Sequence, residues 1–479
     1  MPATISRRIP ATALPLAAAV SLLLCLGGQD AAAQGVDLAA LQDESVELLQ
    51  QYIRVNTINP PGNESRAVEF FARIFDAEGI EWESVESAPG RGNIWARLEG
   101  GEEPALILLH HSDVVPADER YWTQDPLGGE VVGEHIYGRG ALDTKTGGIL
   151  QLAGFLALHR SGVELDRDVI YMATADEEAG GLFGAGWLVE NRPELFEGVG
   201  YLLNEGGGGS DNDGEVQFGI EVTQKVPYWL HLSATGESGH GSAPNPSSSV
   251  TEMIEALARL RDHEFEPHVV DAVQTMFAGM APRAPAEWRE RFSDIRRTAR
   301  NPEDLRELQE FAPELHALTR NTCSITRLNG CDKINVVPTE TTAEVDCRLV
   351  PGQDPDEFLY EMAGILGPEI VVEVIIGFSP AVSTTDTDLY RIVEAVTVEE
   401  FPGAPFVPQV SGGFTDSHFF RDLGIVSYGY EPTATPQGDD SGVHGNDERV
   451  TIENVRRGTR LMVEILRRFA AGGRVILDR

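Results

Sequence analysis

The sequence predicts an α/β fold: a mixed, largely parallel sheet flanked by helices, made from two stretches of chain, 35–223 and 384–479, with a smaller α+β domain inserted at 224–383. Three observations carry this. Apolar runs at 105–109 (ALILL), 169–174 (VIYMAT) and 201–203 (YLL) lack polar alternation and suit strands covered on both faces. Between and around them, apolar residues recur at helical spacing. From about Gln224 the texture changes: Tyr228, Leu230 and Leu232 alternate with Trp229, His231 and Ser233, as in a half-exposed sheet.

Taken in order, Leu38, Leu41, Leu48, Leu49 and Tyr52 mark a helix over 38–54, and Val68, Phe71, Ile74 and Phe75 one over 65–77. The breaker run Asn59-Pro60-Pro61-Gly62 separates them. Short β-rich pieces at 81–85 and 93–98 precede the strand at 105–109, and 116–138 is a turn-rich loop. A helix begins near Thr146 and continues through Leu150, Leu152, Phe155 and Leu158 before the strands at 169–174 and 201–203. The inserted domain holds the alternating strand, a glycine-rich turn around His240, and a helix with Val250, Ile254, Leu257 and Leu260. A charged helical insertion follows at 284–320, then strands at 323–327, 342–350 and 371–376. Beyond about Thr385 come a helix at 389–399, the glycine-rich SGGFTDS at 411–417, a last strand at 425–430 and the loop GDDSGVHGN at 438–446. Thr451 is placed to cap a final helix whose Ile452, Val455, Leu461, Ile465, Leu466 and Phe469 share one face.

Composition narrows the partners. With 76 Asp and Glu against 37 Lys and Arg in 479 residues, the chain is a poor match for nucleic acid or an anionic membrane surface. The first 34 residues read as an export signal: basic Arg7 and Arg8, an apolar middle over 11–26, and a small-residue cleavage site at Ala31-Ala32-Ala33. The expected location is therefore periplasmic or secreted, with no membrane span after cleavage. Of the four cysteines, Cys323, Cys331 and Cys347 remain; none has C-x-x-C spacing, and any single pairing among them leaves one thiol free.

Each buried strand runs directly into metal-type ligands, where open α/β sheets bind what they bind. The 105–109 strand leads to His110, His111 and Asp113; extended backbone turns His111 and Asp113 to one side and His110 to the other, toward packing. The 169–174 strand leads to Asp176, Glu177 and Glu178, and the 201–203 strand to Asn204 and Glu205. Asp143, near a helix start, would ordinarily be an N-cap, and His444 sits in a late loop. One His, one Asp, two Glu and a late His form a nitrogen and oxygen set suited to zinc, or to manganese or cobalt. Five such groups with one bridging carboxylate fit two ions better than one.

The segments HSDVVP, GRGALDTK, ADEEAGG, NEGG, SGHGSAP and VHGNDE occur in order across nearly the whole chain. In this the chain resembles the di-zinc amidohydrolases that include carboxypeptidase G, carboxypeptidase S, aminoacylase and succinyl-diaminopimelate desuccinylase. The NEGG form, the long insertion and the exported start look closest to the carboxypeptidase S branch. The resemblance implies a zinc-exopeptidase-like catalytic domain with an inserted lid that in several members also dimerises. It implies that His111, Asp143 and Glu205 bind one zinc, that Asp143, Glu178 and His444 bind the other, and that Asp113 orients His111 through its second nitrogen. Glu177 would be the general base and His240 a donor to the tetrahedral oxyanion. Asn335, Arg348 and Gly413 would hold the substrate's carbonyl or carboxylate. The implied reaction is cleavage of the amide next to a free carboxylate in a small peptide or N-acyl amino acid. The alternative is a noncatalytic metal-containing binding protein on the same fold, against which the presence of Glu177 speaks. A serine esterase lacks support, since no G-x-S-x-G elbow occurs after residue 34.

Overall fold

The computed structural model describes residues 4–8, 35–212, 214–330, 333–436 and 442–478. The expected leader, 1–34, thus lies outside the described residues except for the backbone of a strand at Thr4–Arg8; so does most of the 438–446 loop's first half. The chain divides into two compact units: Met1–Ile220, Thr384–Phe406 and Leu423–Arg479 in the first, Glu221–Ser383 and Val407–Asp422 in the second. The segment Val407–Asp422, which the sequence expectation of 384–479 places in the larger domain, groups with the smaller one.

In the first unit, helices α1 (Leu38–Ile53) and α2 (Ser65–Glu78) precede β1 (Trp82–Ala88), β2 (Arg91–Leu98) and β3 (Glu103–His111). Asp37 caps α1 by accepting from the Ala40 N–H, and Gly79 ends α2 in the left-handed conformation open to glycine. Then come α3 (Lys145–Ser161), β4 (Arg167–Thr174) and β5 (Val199–Asn204). The strand order is β1-β2-β4-β3-β5, followed by the strand Val426–Gly429. From β4 onward the pairing is parallel, with His111 opposite Thr174 and Leu108 opposite both Tyr171 and Leu203. The apolar runs are buried as their lack of alternation requires: Leu106 through Leu109 are inaccessible to solvent. All of α3 but its last turn is buried, and its Gly148 lies so close to the His110 ring that a Cβ there would collide with it. Thr451 caps the last helix, Ile452–Ala471, through the Asn454 N–H.

The second unit is an α+β layer. Strands β6 (Val226–Thr235), β7 (Thr322–Asn329), β8 (Glu340–Leu349) and β9 (Ile370–Gly377) form an antiparallel sheet in the order β7-β8-β6-β9. Tyr228, Leu230 and Leu232 of β6 face helices α4 (Ser249–Asp262) and α5 (Pro355–Leu366), and the intervening residues are half-exposed. Cys323 and Cys347, opposite each other on β7 and β8, are disulfide-bonded. The helical insertion is longer than its charge suggests. It begins at Asp271, because Val273 and Phe277 share a core with Trp288, Phe292, Ile295, Leu305 and Leu308. Among the described residues no helix is long and apolar enough to cross a membrane.

Candidate metal centre

β3 delivers two histidines to opposite environments, as alternation requires. His110 enters an aromatic cage of Tyr52, Phe71 and Tyr171, its Nε2 3.2 Å from the Tyr52 hydroxyl, and burial pushes its pKa down to about 3. His111 turns to the other side. Its Nε2 is 2.9 Å from Asp143 Oδ1 and 3.3 Å from Glu205 Oε2. His444 Nε2 is 3.1 Å from Asp143 Oδ2 and 3.2 Å from Glu178 Oε2. Two triads therefore form, His111–Asp143–Glu205 and Asp143–Glu178–His444, with donor atoms within 4.8 Å of one another in each. The two oxygens of Asp143 serve one triad each. The N-cap expected of this residue is instead Thr144, and the Asp143 carboxylate is spent on the histidines.

The electrostatics describe a site short of positive charge. Burial raises Glu205 to about 8, an effect that His111 opposes and that Asp143 and Glu431 reinforce. Burial resists charging His111, yet Glu205, Asp113 and Asp143 raise its pKa well above the usual imidazole value. Hydrogen bonds to Asp143 and Glu178 raise His444 to about 10. Glu178 Oε1 is buried with no hydrogen-bond partner. An orphaned carboxylate oxygen beside a shared carboxylate and two imidazoles fits a pair of divalent cations of the zinc type.

Asp113 does more than the sequence suggested. His111 Nδ1 is closer to the Asp113 backbone carbonyl, 3.0 Å, than to its carboxylate, 3.4 Å. The carboxylate also accepts from the N–H groups of Glu177, at 3.1 Å, and Glu178, at 3.2 Å, so it fixes the turn bearing both. Asn59 Nδ2 donates to the same carboxylate at 2.8 Å, and Arg91 donates to Asn59 Oδ1 at 3.0 Å while ion-pairing with buried Glu64 and with Asp176. Asp176 itself has φ 70°, and its other oxygen accepts from the Phe183 N–H. Glu177 opens a short 3-10 turn and is only 7% exposed.

Sequence reasoning missed Asn59, Arg91, Glu64 and Glu431. Glu431 follows the strand Val426–Gly429 closely, so the strand-end rule applied there would have found it. Its Oε1 accepts from the Thr144 hydroxyl at 2.7 Å, and burial raises its pKa to about 7. The other three carry no such signal, since Asn59 reads as part of a breaker run.

The remaining expected residues lie on the second unit. His240 pairs in register with Val336, next to Asn335, whose carbonyl accepts from the Gly241 N–H. The Ser242 N–H points to His240 Nδ1 at 3.2 Å, which leaves the ring proton on Nε2. Arg348 is ion-paired with Asp346 at 2.8 Å, and the exposed Gly413 donates its N–H to the Ser411 hydroxyl.

The model of the peptidase family M20/M25/M40 matches residues 107–468. The chain is 29% identical over 454 residues to N-fatty-acyl-amino acid synthase/hydrolase PM20D1 of Xenopus tropicalis, covering 88% of this chain and 85% of the relative. It is 27% identical over 383 residues to a probable carboxypeptidase S-like 2 of Dictyostelium discoideum, covering 76% and 71%. Its fold matches that of an M20 family metallo-carboxypeptidase, Sso-CP2, from Sulfolobus solfataricus, with a TM-score of 0.64 at 20% identity over 88% of this chain and 98% of that one. With both metal-type triads assembled at the strand ends, the chain is a member of peptidase family M20/M25/M40 and a metallopeptidase-type hydrolase.

Proposed function

We propose that this protein hydrolyses the amide bond next to a free carboxylate in small peptides or N-acyl amino acids, using two zinc ions; cobalt or manganese suit the same donors. The observation that carries the reading is the shared Asp143: its two oxygens belong to two triads, and Glu178 Oε1 beside them lacks a partner. Bound there, divalent cations would supply Lewis acidity and acidify water. His111, Asp143 and Glu205 would hold one, and Asp143, Glu178 and His444 the other.

The chain's own residues supply the rest. Glu177, held on the turn that Asp113 anchors, takes the proton from the attacking water and returns it to the leaving nitrogen. His240, with its proton on Nε2, is assigned as donor to the oxyanion, and Asn335, Arg348 and Gly413 as ligands of the substrate's carbonyl or carboxylate. Export is part of the proposal, supported by the 1–34 pattern and by the Cys323–Cys347 disulfide, which suits an oxidising compartment. A homodimer through the second unit is proposed on the family resemblance.

The test is hydrolysis of a mixed panel, dipeptides beside N-acetyl and long-chain N-acyl amino acids, by chelated protein with and without added zinc. Metal-restored cleavage of one group supports the reading and chooses its branch. Two metals bound per chain with no cleavage of any panel member would instead favour a substrate outside the panel or a metal-containing binding protein.

A further inference from the structure

Two loops must meet to complete the second triad: the one carrying Asp143 and the one carrying His444. A three-residue antiparallel ladder, His135–Tyr137 with Arg449–Thr451, holds their bases together and ends at the Tyr137–Arg449 pair. Just beyond it, toward the ligands, lies an ion pair between Arg139 and Glu448 at 2.5 Å, with 2% and 0% of their side-chain surfaces exposed.

Its contacts divide between the loops. Glu448 Oε2 takes Arg139 Nη1, and its Oε1 accepts from the N–H groups of Leu142, at 2.6 Å, and Asp143, at 3.2 Å. Arg139 Nη2 donates to the backbone carbonyl of His444 at 3.2 Å, and its guanidinium lies 5.2 Å from the centre of the Trp122 ring. Burying both ions costs enough desolvation that a packed apolar pair would often serve stability as well. What an apolar pair could not do is grip three loop peptides in set directions.

We propose that Arg139 and Glu448 are positioning residues for the metal centre: Glu448 aims Asp143, which serves both triads, while Arg139 aims His444, which serves one. This rests on the two-metal reading above. Because the two grips fall on different ligands, the two residues have separable effects.

Arg139→Lys keeps a cation beside Glu448, but one ammonium lacks the planar fork that reaches both Glu448 and the His444 carbonyl. Chelated protein titrated with zinc alone, against a chromophoric competitor, should bind two equivalents in the wild type. In Arg139→Lys one equivalent should keep its affinity and the other weaken by about 10-fold or more. Glu448→Gln retains an acceptor but loosens the Asp143 side, and should weaken both equivalents. Melting curves of the loaded and chelated forms report folding independently of activity.

Two unaltered equivalents in folded Arg139→Lys would overturn the proposal, as would equal weakening of both. Should the lysine variant not fold, Glu448→Gln decides alone, and wild-type affinities there overturn the proposal. A wild type that binds fewer than two equivalents would instead remove the two-metal reading. Two bound equivalents without hydrolysis would remove the function and leave the positioning roles standing.

Discussion

Glu177 differs from its neighbour Glu178 in one respect that matters chemically: Glu178 Oε2 is 3.2 Å from His444, whereas Glu177 belongs to neither metal-type triad. Replacing it by Gln should therefore lower kcat by about 100- to 10,000-fold, the contribution usual for a positioned general base. Metal content should stay at the wild-type value, so parallel kinetics and metal analysis check the assignment; retained turnover would remove Glu177 as base. Asp113 was legible only in part. The His-x-Asp spacing shows that it shares a side with His111, but its hold on the Glu177–Glu178 turn, and the Asn59–Arg91–Glu64 relay behind it, arise from contacts between distant segments. The titrations at this centre also have a consequence for stability. A carboxyl raised on folding, as Glu205 is from 4.5 to about 8, costs nothing below pH 4.5 and its full penalty above pH 8. His444, raised from 6.5 to about 10, contributes stability below pH 6.5 that is lost as pH approaches 10. Asp143, held low by both histidines, titrates below this window. Both effects weaken the chelated protein as pH rises, where a bound divalent cation would take the place of the protons. The difference in Tm between loaded and chelated protein should thus widen from pH 5.5 to 8.5, and a constant difference would contradict the charge picture.

At the scale of elements, β3, β4 and β5 were readable because a strand buried on both faces has no room for alternation, and its end is announced by the first polar residue. His111, Asp176 and Glu205 each fall at such an end. β6 was readable for the opposite reason, with one face wet. Two elements were not. The insertion was bounded by its charge, yet it is held by apolar residues, so its true start at Asp271 lies in a stretch that looks unlike the rest. The segment Val407–Asp422 groups with the second unit, where Arg421 pairs with buried Glu221 at 2.6 Å and donates to Gln224. A contact between residues two hundred positions apart leaves no local trace. The disulfide is likewise a matter of register, since only the β7–β8 pairing sets Cys323 opposite Cys347. It closes a span of 24 residues, for which chain entropy gives about 3 kcal/mol. Replacing both cysteines by Ser should lower the unfolding free energy of the second unit by about that amount, read by denaturant titration with a probe on Trp229 of β6. No change in midpoint would mean that the bridge does not constrain the unfolded chain.

At the scale of the whole molecule the dominant quantity is a net charge of −39, which no single contact explains. Such a charge repels anions at long range, and the proposed substrates are anions. For an ordinary steered enzyme, salt slows capture by screening attraction; here it should screen repulsion. The Debye length falls from roughly 20 Å at 0.02 M salt to about 8 Å at 0.15 M, so the long-range part of the field is removed within an accessible range. For a substrate cleaved at measurable rate, kcat/KM should therefore rise with NaCl, through KM. The rise should be steeper for an N-acyl glutamate, with two carboxylates, than for an N-acyl leucine with one. Steady-state kinetics on this pair at matched pH would decide the matter. If kcat/KM falls with salt for both substrates, the divalent cations that the centre would hold and the arginines near it outweigh the field of the whole surface, and the acidity serves solubility alone.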